Sequence, residues 1–206
     1  FIDRSKKENA LRYEIEGTVD KKMLGKIVSQ VYNKLGTTPT VIMLDKIKEL
    51  GYKYSTIGAL TINVYDMRDP KEKQQLIAEA DARVQENEKA YRRGLIALEE
   101  KVSKNISIWN ETTEKVKNAV MNSLDELNPV KIMVASGARG NPVQINQLCG
   151  MRGVMASASA IKIDIPVKSC FRTGLTPIDY FLSSRGGRKG LADTALKTAD
   201  SGYLTR

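Results

Sequence analysis

Two glycine-rich stretches are the first places to look for chemistry. Ser136-Gly137-Ala138-Arg139-Gly140-Asn141 and Gly150-Met151-Arg152-Gly153 each set an arginine beside glycines. Glycine lets a backbone approach a ligand closely, and a guanidinium can meet a phosphate. The spacing fits neither the Walker loop nor the dinucleotide fingerprint, so a purely structural turn competes with a ligand loop at both places. What the chain lacks bounds the rest. It has no histidine, which excludes Ser-His-Asp, Cys-His and His-metal sites within these residues. Cys149 and Cys170 are the only cysteines. Without a CxxC pair they offer no zinc site and suit small core positions in a reducing cytoplasm.

Charge is unevenly placed. Residues 131–206 carry 11 Lys/Arg against 4 Asp and no Glu, whereas residues 1–130 carry 22 basic and 20 acidic groups. A balanced first part and a basic second part are expected if only the second faces a polyanion. A basic surface without a partner is the competing reading. No run of apolar residues is long enough to span a membrane, and Phe1 to Glu16 lack a signal peptide's apolar stretch.

The elements that would position these loops follow from periodicity. A lead-in over residues 1–19, with a strand at Leu11–Ile15, precedes a helix at Asp20–Leu35. In that helix Leu24, Ile27, Val28, Val31 and Leu35 repeat at helical spacing and Gly36 supplies the stop. Thr38-Pro39 reads as an N-cap and first-turn proline of a helix ending at Gly51, and Tyr52–Tyr65 as a loop with a short strand. Between Pro70 and Asn128 two helical stripes face each other. One runs through Leu76, Ile77, Ala80, Val84 and Tyr91; the other through Leu98, Val102, Ile106, Trp109, Val116, Val120 and Leu124. Only Arg92-Arg93-Gly94 separates them, so the pair is an antiparallel hairpin of helices roughly 22 and 28 residues long, reaching ~30–40 Å. It either projects as a docking arm or packs on its own domain. Ile161–Val167 alternates like a strand.

The last element opens at Thr176-Pro177 and continues as a helical pattern to Arg206. Gly186, Gly187 and Gly190 interrupt it, each at ~1 kcal/mol relative to alanine, which marks a site of bending. Beyond them Ala192, Thr194, Ala195, Thr198 and Ala199 make a face of small side chains, with Arg185, Arg188, Lys189 and Lys197 adding cationic reach. A hinged, small-faced helix invites something large against it, and a nucleic-acid base pair is one candidate. The fold class is therefore mainly α: a helical domain with a long antiparallel hairpin, a loop-rich α+β segment, then a long hinged helix.

Particular strings carry a resemblance. SGARGN, QL-x-GMRG-x-MA, YRRGLI at the hairpin turn, SIW, SLDELNP and the run Arg188–Arg206 are similar to the largest, β′-type subunits of bacterial DNA-directed RNA polymerases. The match is continuous from about Leu24 to Arg206; residues 1–19 follow by continuity. The resemblance implies that residues 20–130 form the funnel around a nucleotide-entry channel. The hairpin at about 70–128 would be its rim, and Arg92, Arg93 and Gly94 the tip where transcript-cleavage or other channel-binding factors dock. Residues 131–175 would hold the F-loop and connecting strand and loops, with Arg139, Gly140, Asn141 and Gln144 on the nucleotide path. Residues 176–206 would be the bridge helix, with Thr198 and Ala199 against the template base pair and Gly186, Gly187 and Gly190 as its hinge.

The same resemblance implies the partners: the remaining β′ polypeptide, β, α and ω-type subunits, template DNA, the RNA–DNA hybrid and incoming nucleoside triphosphates, with no membrane. It places the magnesium-binding aspartates before residue 1, the mobile trigger loop after Arg206 and the zinc cysteines elsewhere, so this chain would hold no metal and no catalytic residue. The end at Arg206, part-way along a helix, fits a trimmed or split subunit. Departures from the family pattern are Arg185 for histidine, Gly187 for alanine, Ala97 for a capping threonine and Thr173 for glutamate; they suggest a divergent relative, such as a phage-encoded or otherwise specialised enzyme. The competing reading is a free-standing nucleic-acid-binding helical protein or transcription regulator.

Overall fold

The computed structural model describes residues 5–13, 15, 17–156 and 162–206. It divides into two compact units, one of residues 1–60 with 135–139 and one of residues 61–134 with 140–206.

In the first unit a short 3-10 turn, Lys7–Asn9, precedes α1 (Lys21–Leu35) and α2 (Thr37–Gly58). No strand occurs among the described residues of 11–15; Glu14 lies outside them. Asp20 caps α1, its carboxylate accepting from the Met23 amide at 2.7 Å. Gly36, at φ 81°, ends α1 and also precedes α2. A left-handed residue is what lets one position serve two helices. The expected cap at Thr38 is therefore not formed: α2 has already begun at Thr37, and its first turn is tied instead by the Thr40 hydroxyl donating to the Gly36 carbonyl at 2.7 Å. Nor does Gly51 stop the helix. One interior glycine costs only ~1 kcal/mol, and the helix already established through Lys46, Lys48, Glu49 and Leu50 carries on past it. The helix runs on to Gly58 and closes at Ala59, held left-handed at φ 44°, so the strand expected in 52–65 is replaced by helix and a 3-10 turn at Val64–Asp66.

The second unit is built on the hairpin of α3 (Lys73–Arg92) and α4 (Leu98–Ser123). Then come α5 (Pro129–Ala135), α6 (Pro142–Cys149), β1 (Gly153–Ala156), β2 (Lys162–Val167) and α7 (Pro177–Thr205). The two strands are antiparallel, pairing Gly153 with Val167 and Val154 with Pro166, with an irregularity between Val154 and Ala156. Ile161 of the expected strand lies outside the described residues. Ile165 is exposed while Val167 is fully buried. Among the described residues no helix is long and apolar enough to cross a membrane.

The core sits at the base of the hairpin. Ala80, Ile108, Trp109, Val116, Val120 and Leu124 meet Val130, Ile145, Cys149 and Met151, with Leu76 and Val84 packed on the edge. Toward the tip the seam turns polar. Asn105 is buried and accepts from the Asn87 carboxamide at 3.2 Å, and Lys101 pairs with Glu88 at 2.6 Å. The buried line of α4 thus passes through Asn105, Ile108 and Thr112, residues the apolar periodicity skipped. Thr112 tolerates burial because its hydroxyl donates to the Ile108 carbonyl at 2.8 Å.

Truncation should report this gradient. Trp109→Ala, at a side chain 2% exposed, is expected to cost about 3–5 kcal/mol in urea unfolding followed by circular dichroism. Leu98→Ala near the tip should stay within about 0.5 kcal/mol.

Candidate functional site

The first glycine-rich loop is built from its own backbone. Gly137 is left-handed at φ 73°, and a Cβ there would lie 3.0 Å from Lys21 Cβ, so this turn of the first unit excludes a side chain. The Lys21 amide donates to the Ser136 carbonyl at 3.0 Å. Arg139 of that unit is exposed and makes no hydrogen bond or ion pair among the described residues. Gly140, Asn141 and Gln144 come together in the second unit at the start of α6. The Asn141 side chain accepts from the Gln144 amide at 2.8 Å and the Gln144 side chain accepts from the Asn141 amide at 3.1 Å, a reciprocal capping box. Sequence reasoning misses α6, whose one local signal is Asn-Pro-x-Gln at its start.

The second stretch is a packing device. A Cβ on Gly150 would fall 2.0 Å from the Asn146 carboxamide oxygen, and one on left-handed Gly153 2.9 Å from Thr113 Oγ1. Asn146 is buried; its carboxamide donates to the Thr113 carbonyl at 3.5 Å and accepts from the Met151 amide at 3.4 Å. These two glycines let α6 close on α4 and leave the loop between them no role as a phosphate cradle.

Residues 168–173 connect β2 to α7 and gather contacts from every part of this unit. Lys168 donates to both carboxylate oxygens of Asp81 on α3, at 2.6 and 2.8 Å, and lies over the Trp109 ring at 5.1 Å. The Ser169 hydroxyl donates to Asp179 at 2.7 Å. Asp179 in turn completes the capping box of α7, accepting from the Thr176 amide at 3.4 Å while the Thr176 hydroxyl accepts from the Asp179 amide at 3.2 Å. Burial works to raise the Asp179 pKa, but the donations from Ser169 and Thr176 outweigh it and hold the carboxyl below its usual value. Cys170 is fully buried, its sulfur 3.3 Å from the Thr173 hydroxyl and 3.7 Å from Lys73 Nζ. Burial, with the neighbouring Cys170 thiol and Asp69, pushes Cys149 up to about 11, so that thiol is an inert core group at neutral pH.

α7 is one unbroken helix through Gly186, Gly187 and Gly190. Gly186 faces Met155, whose Cε would lie 3.2 Å from an added Cβ; Gly187 and Gly190 face open space. Thr198 and Ala199 are exposed, and the Thr198 hydroxyl donates to the Thr194 carbonyl at 2.8 Å. No residue of the helix beyond Ser183 is buried, and Leu191, Leu196, Tyr203 and Leu204 are all at least 70% exposed.

At the hairpin tip Arg92 is held by Glu88 at 3.4 Å. The bond from Lys101, reinforced by Arg92, keeps the Glu88 carboxyl below its ordinary range. Gly94, at φ 72°, closes a Schellman motif: its amide donates to the Tyr91 carbonyl at 2.9 Å and the Leu95 amide to the Ala90 carbonyl at 3.0 Å. Ala97 begins α4 with no side-chain cap. Arg93 is exposed and makes no ion pair among the described residues. Among the described residues no three His, Cys, Asp or Glu side chains gather as a group that could hold a metal ion.

Three family models match along the chain: RNA polymerase Rpb1, domain 3, over residues 9–67; domain 4 over 78–186; and domain 5 over 174–206. The DNA-directed RNA polymerase subunit β′ of Caldicellulosiruptor saccharolyticus is 58% identical over all 206 residues, and the corresponding subunit of Clostridioides difficile is 56% identical. That of Clostridium novyi is 53% identical over the same stretch. The chain spans 18%, 18% and 17% of their respective lengths.

The glycines divide into two kinds with opposite expected behaviour. Gly150→Ala should destabilise the second unit by at least about 1 kcal/mol, because the buried Asn146 carboxamide must move and lose its partners. Gly187→Ala should stabilise α7 by ~1 kcal/mol, since the position is open and helical. Hydrogen exchange at α6 and α7 amides separates the two.

Proposed function

The chain belongs to the RNA polymerase Rpb1 family, and from that premise we propose that it forms wall, rim and strut of a DNA-dependent RNA polymerase, a nucleotidyltransferase. Residues 20–130 line a nucleotide-entry funnel. The hairpin is its rim, offering Arg92, Arg93 and Gly94 to channel-binding factors. Arg139, Gly140, Asn141 and Gln144 belong to the segment that flanks the path of the incoming triphosphate. Residues 176–206 are the bridge helix.

The observation that carries this reading is α7 itself. Its first turns are tied down by the capping box and by burial of Leu182 and Ser183, and no residue after them is buried. An isolated helix with that many exposed large apolar groups requires other surfaces around it. The small residues on one side allow close approach, and Thr198 has its hydroxyl engaged by its own backbone. What it presents outward is therefore carbon, suited to van der Waals contact with a base pair and indifferent to base identity. The exposed, unpaired guanidinium of Arg139 suits a transient contact with a moving triphosphate, while the Asn141 and Gln144 side chains are engaged in the cap of α6.

Template DNA, the RNA–DNA hybrid, nucleoside triphosphates, the remaining β′ polypeptide and the β, α and ω-type subunits are the partners this reading requires. Catalytic magnesium and structural zinc belong to polypeptide outside these residues. Similarity to β′ subunits over all 206 residues of this chain favours this role over a free-standing nucleic-acid-binding regulator.

Ala199→Leu in the assembled polymerase should slow single-nucleotide addition by about tenfold or more, equivalent to ~1.4 kcal/mol of barrier. Quench-flow extension of a preformed RNA primer measures it; an unchanged rate removes α7 from the template.

A further inference from the structure

Arg152 is not used by the function proposed above. It lies between the two glycines that pack α6 on α4, and its amide donates to the Ser169 carbonyl at 3.2 Å. Its guanidinium stacks on Phe171, 4.8 Å from the ring centre, and that ring is itself held where the Phe171 amide donates to the Gln147 carbonyl at 3.1 Å. The Nε hydrogen is sealed from solvent and has no acceptor. Burial alone lowers the Arg152 pKa, without contribution from a charged neighbour of either sign. Among the described residues no carboxylate forms an ion pair with it.

A partly buried, permanently charged side chain without a counter-charge is unfavourable, and evolution of a purely structural contact to Phe171 would not need an arginine. The seal on Nε and the stack on Phe171 fix the plane of the group, so only the two Nη groups remain as donors. A planar, pre-oriented pair of donors matches the two oxygens of a carboxylate. A phosphate chain or nucleic-acid backbone is ordinarily met by several cations together, and none lies close enough to influence this one. The chain spans only 18% of the relatives it matches, so most of the polypeptide that could supply the acid lies outside it.

We propose that Arg152, pinned on Phe171, is a docking point for a single Asp or Glu side chain supplied by polypeptide outside this chain. The ion pair closes over the Arg152–Phe171 stack and fastens the α6–β1 junction to the rest of the enzyme. This rests on the reading of the chain as part of a larger polymerase assembly.

The test uses the assembled polymerase that contains this segment. An experimental structure should show one carboxylate within hydrogen-bond distance of the Arg152 Nη atoms. A phosphate oxygen there, or water alone, overturns the proposal. Arg152→Glu should reduce the recovered assembled enzyme at least tenfold in sedimentation, and exchanging the contacting acid for arginine should restore it. Restoration supports the pair; its absence overturns it, even if Arg152→Glu alone fails to fold. The same structure shows whether Thr198 faces template, so failure of the functional reading is seen separately from failure at Arg152.

Discussion

The ion pair between Lys168 and Asp81 is the constraint on which the second unit turns. It joins residues 87 positions apart in sequence, with Lys168 lying over the Trp109 ring. The residues that follow it extend the linkage in both directions. Ser169 holds the carboxylate that caps α7, and the Phe171 and Arg172 amides donate to the last carbonyls of α6. Both Lys168 and Asp81 are partly solvent-exposed, so the pair itself contributes modestly to stability. Its importance is geometric. One short connector registers the hairpin, the end of α6 and the start of α7 against one another.

That arrangement explains why α7 can be long and yet almost uncovered. A helix normally owes its stability to an apolar face packed along its length. Here the anchor is concentrated in the first two turns, through Thr176, Asp179, Leu182 and Ser183, and no residue of the remainder is buried. The hairpin follows a related plan. Its apolar core lies at the base, and the distal seam is held by Asn87 with Asn105 and by Glu88 with Lys101. Strong anchoring at one end and a polar or open extension at the other is the common design of both.

Much of this was legible in the sequence because it is local. The Asp20 start and Gly36 stop of α1, the Thr176-Pro177 opening of α7, the two-helix hairpin and the Gly94 turn are all decided within a few residues. The errors were also local in kind. Gly51 reads as a stop, yet a single glycine does not break a helix already established by the residues before it. Thr38 was read as a cap because Gly36 serving two helices leaves no sequence mark other than itself. The buried line of α4 was shifted by Asn105 and Thr112, which are polar yet internally satisfied. The connector was not legible at all: nothing near Lys168 announces Asp81, and nothing near Gly150 announces that its missing side chain makes room for Asn146. Neither the cap formed by Asn141 and Gln144 nor the isolation of Arg152 is read from the sequence: the first was masked by the glycine-rich loop before it, and the second needs three-dimensional neighbours.

The central claim is that the open half of α7 lies against the template. Replacing Thr198 with a photo-activatable cross-linking residue in the assembled polymerase, stalled on a template of defined sequence, tests it most directly. Cross-linking to template DNA within the few nucleotides around the RNA 3′ end is the predicted result. Cross-links confined to protein, or to no template position, would contradict the account.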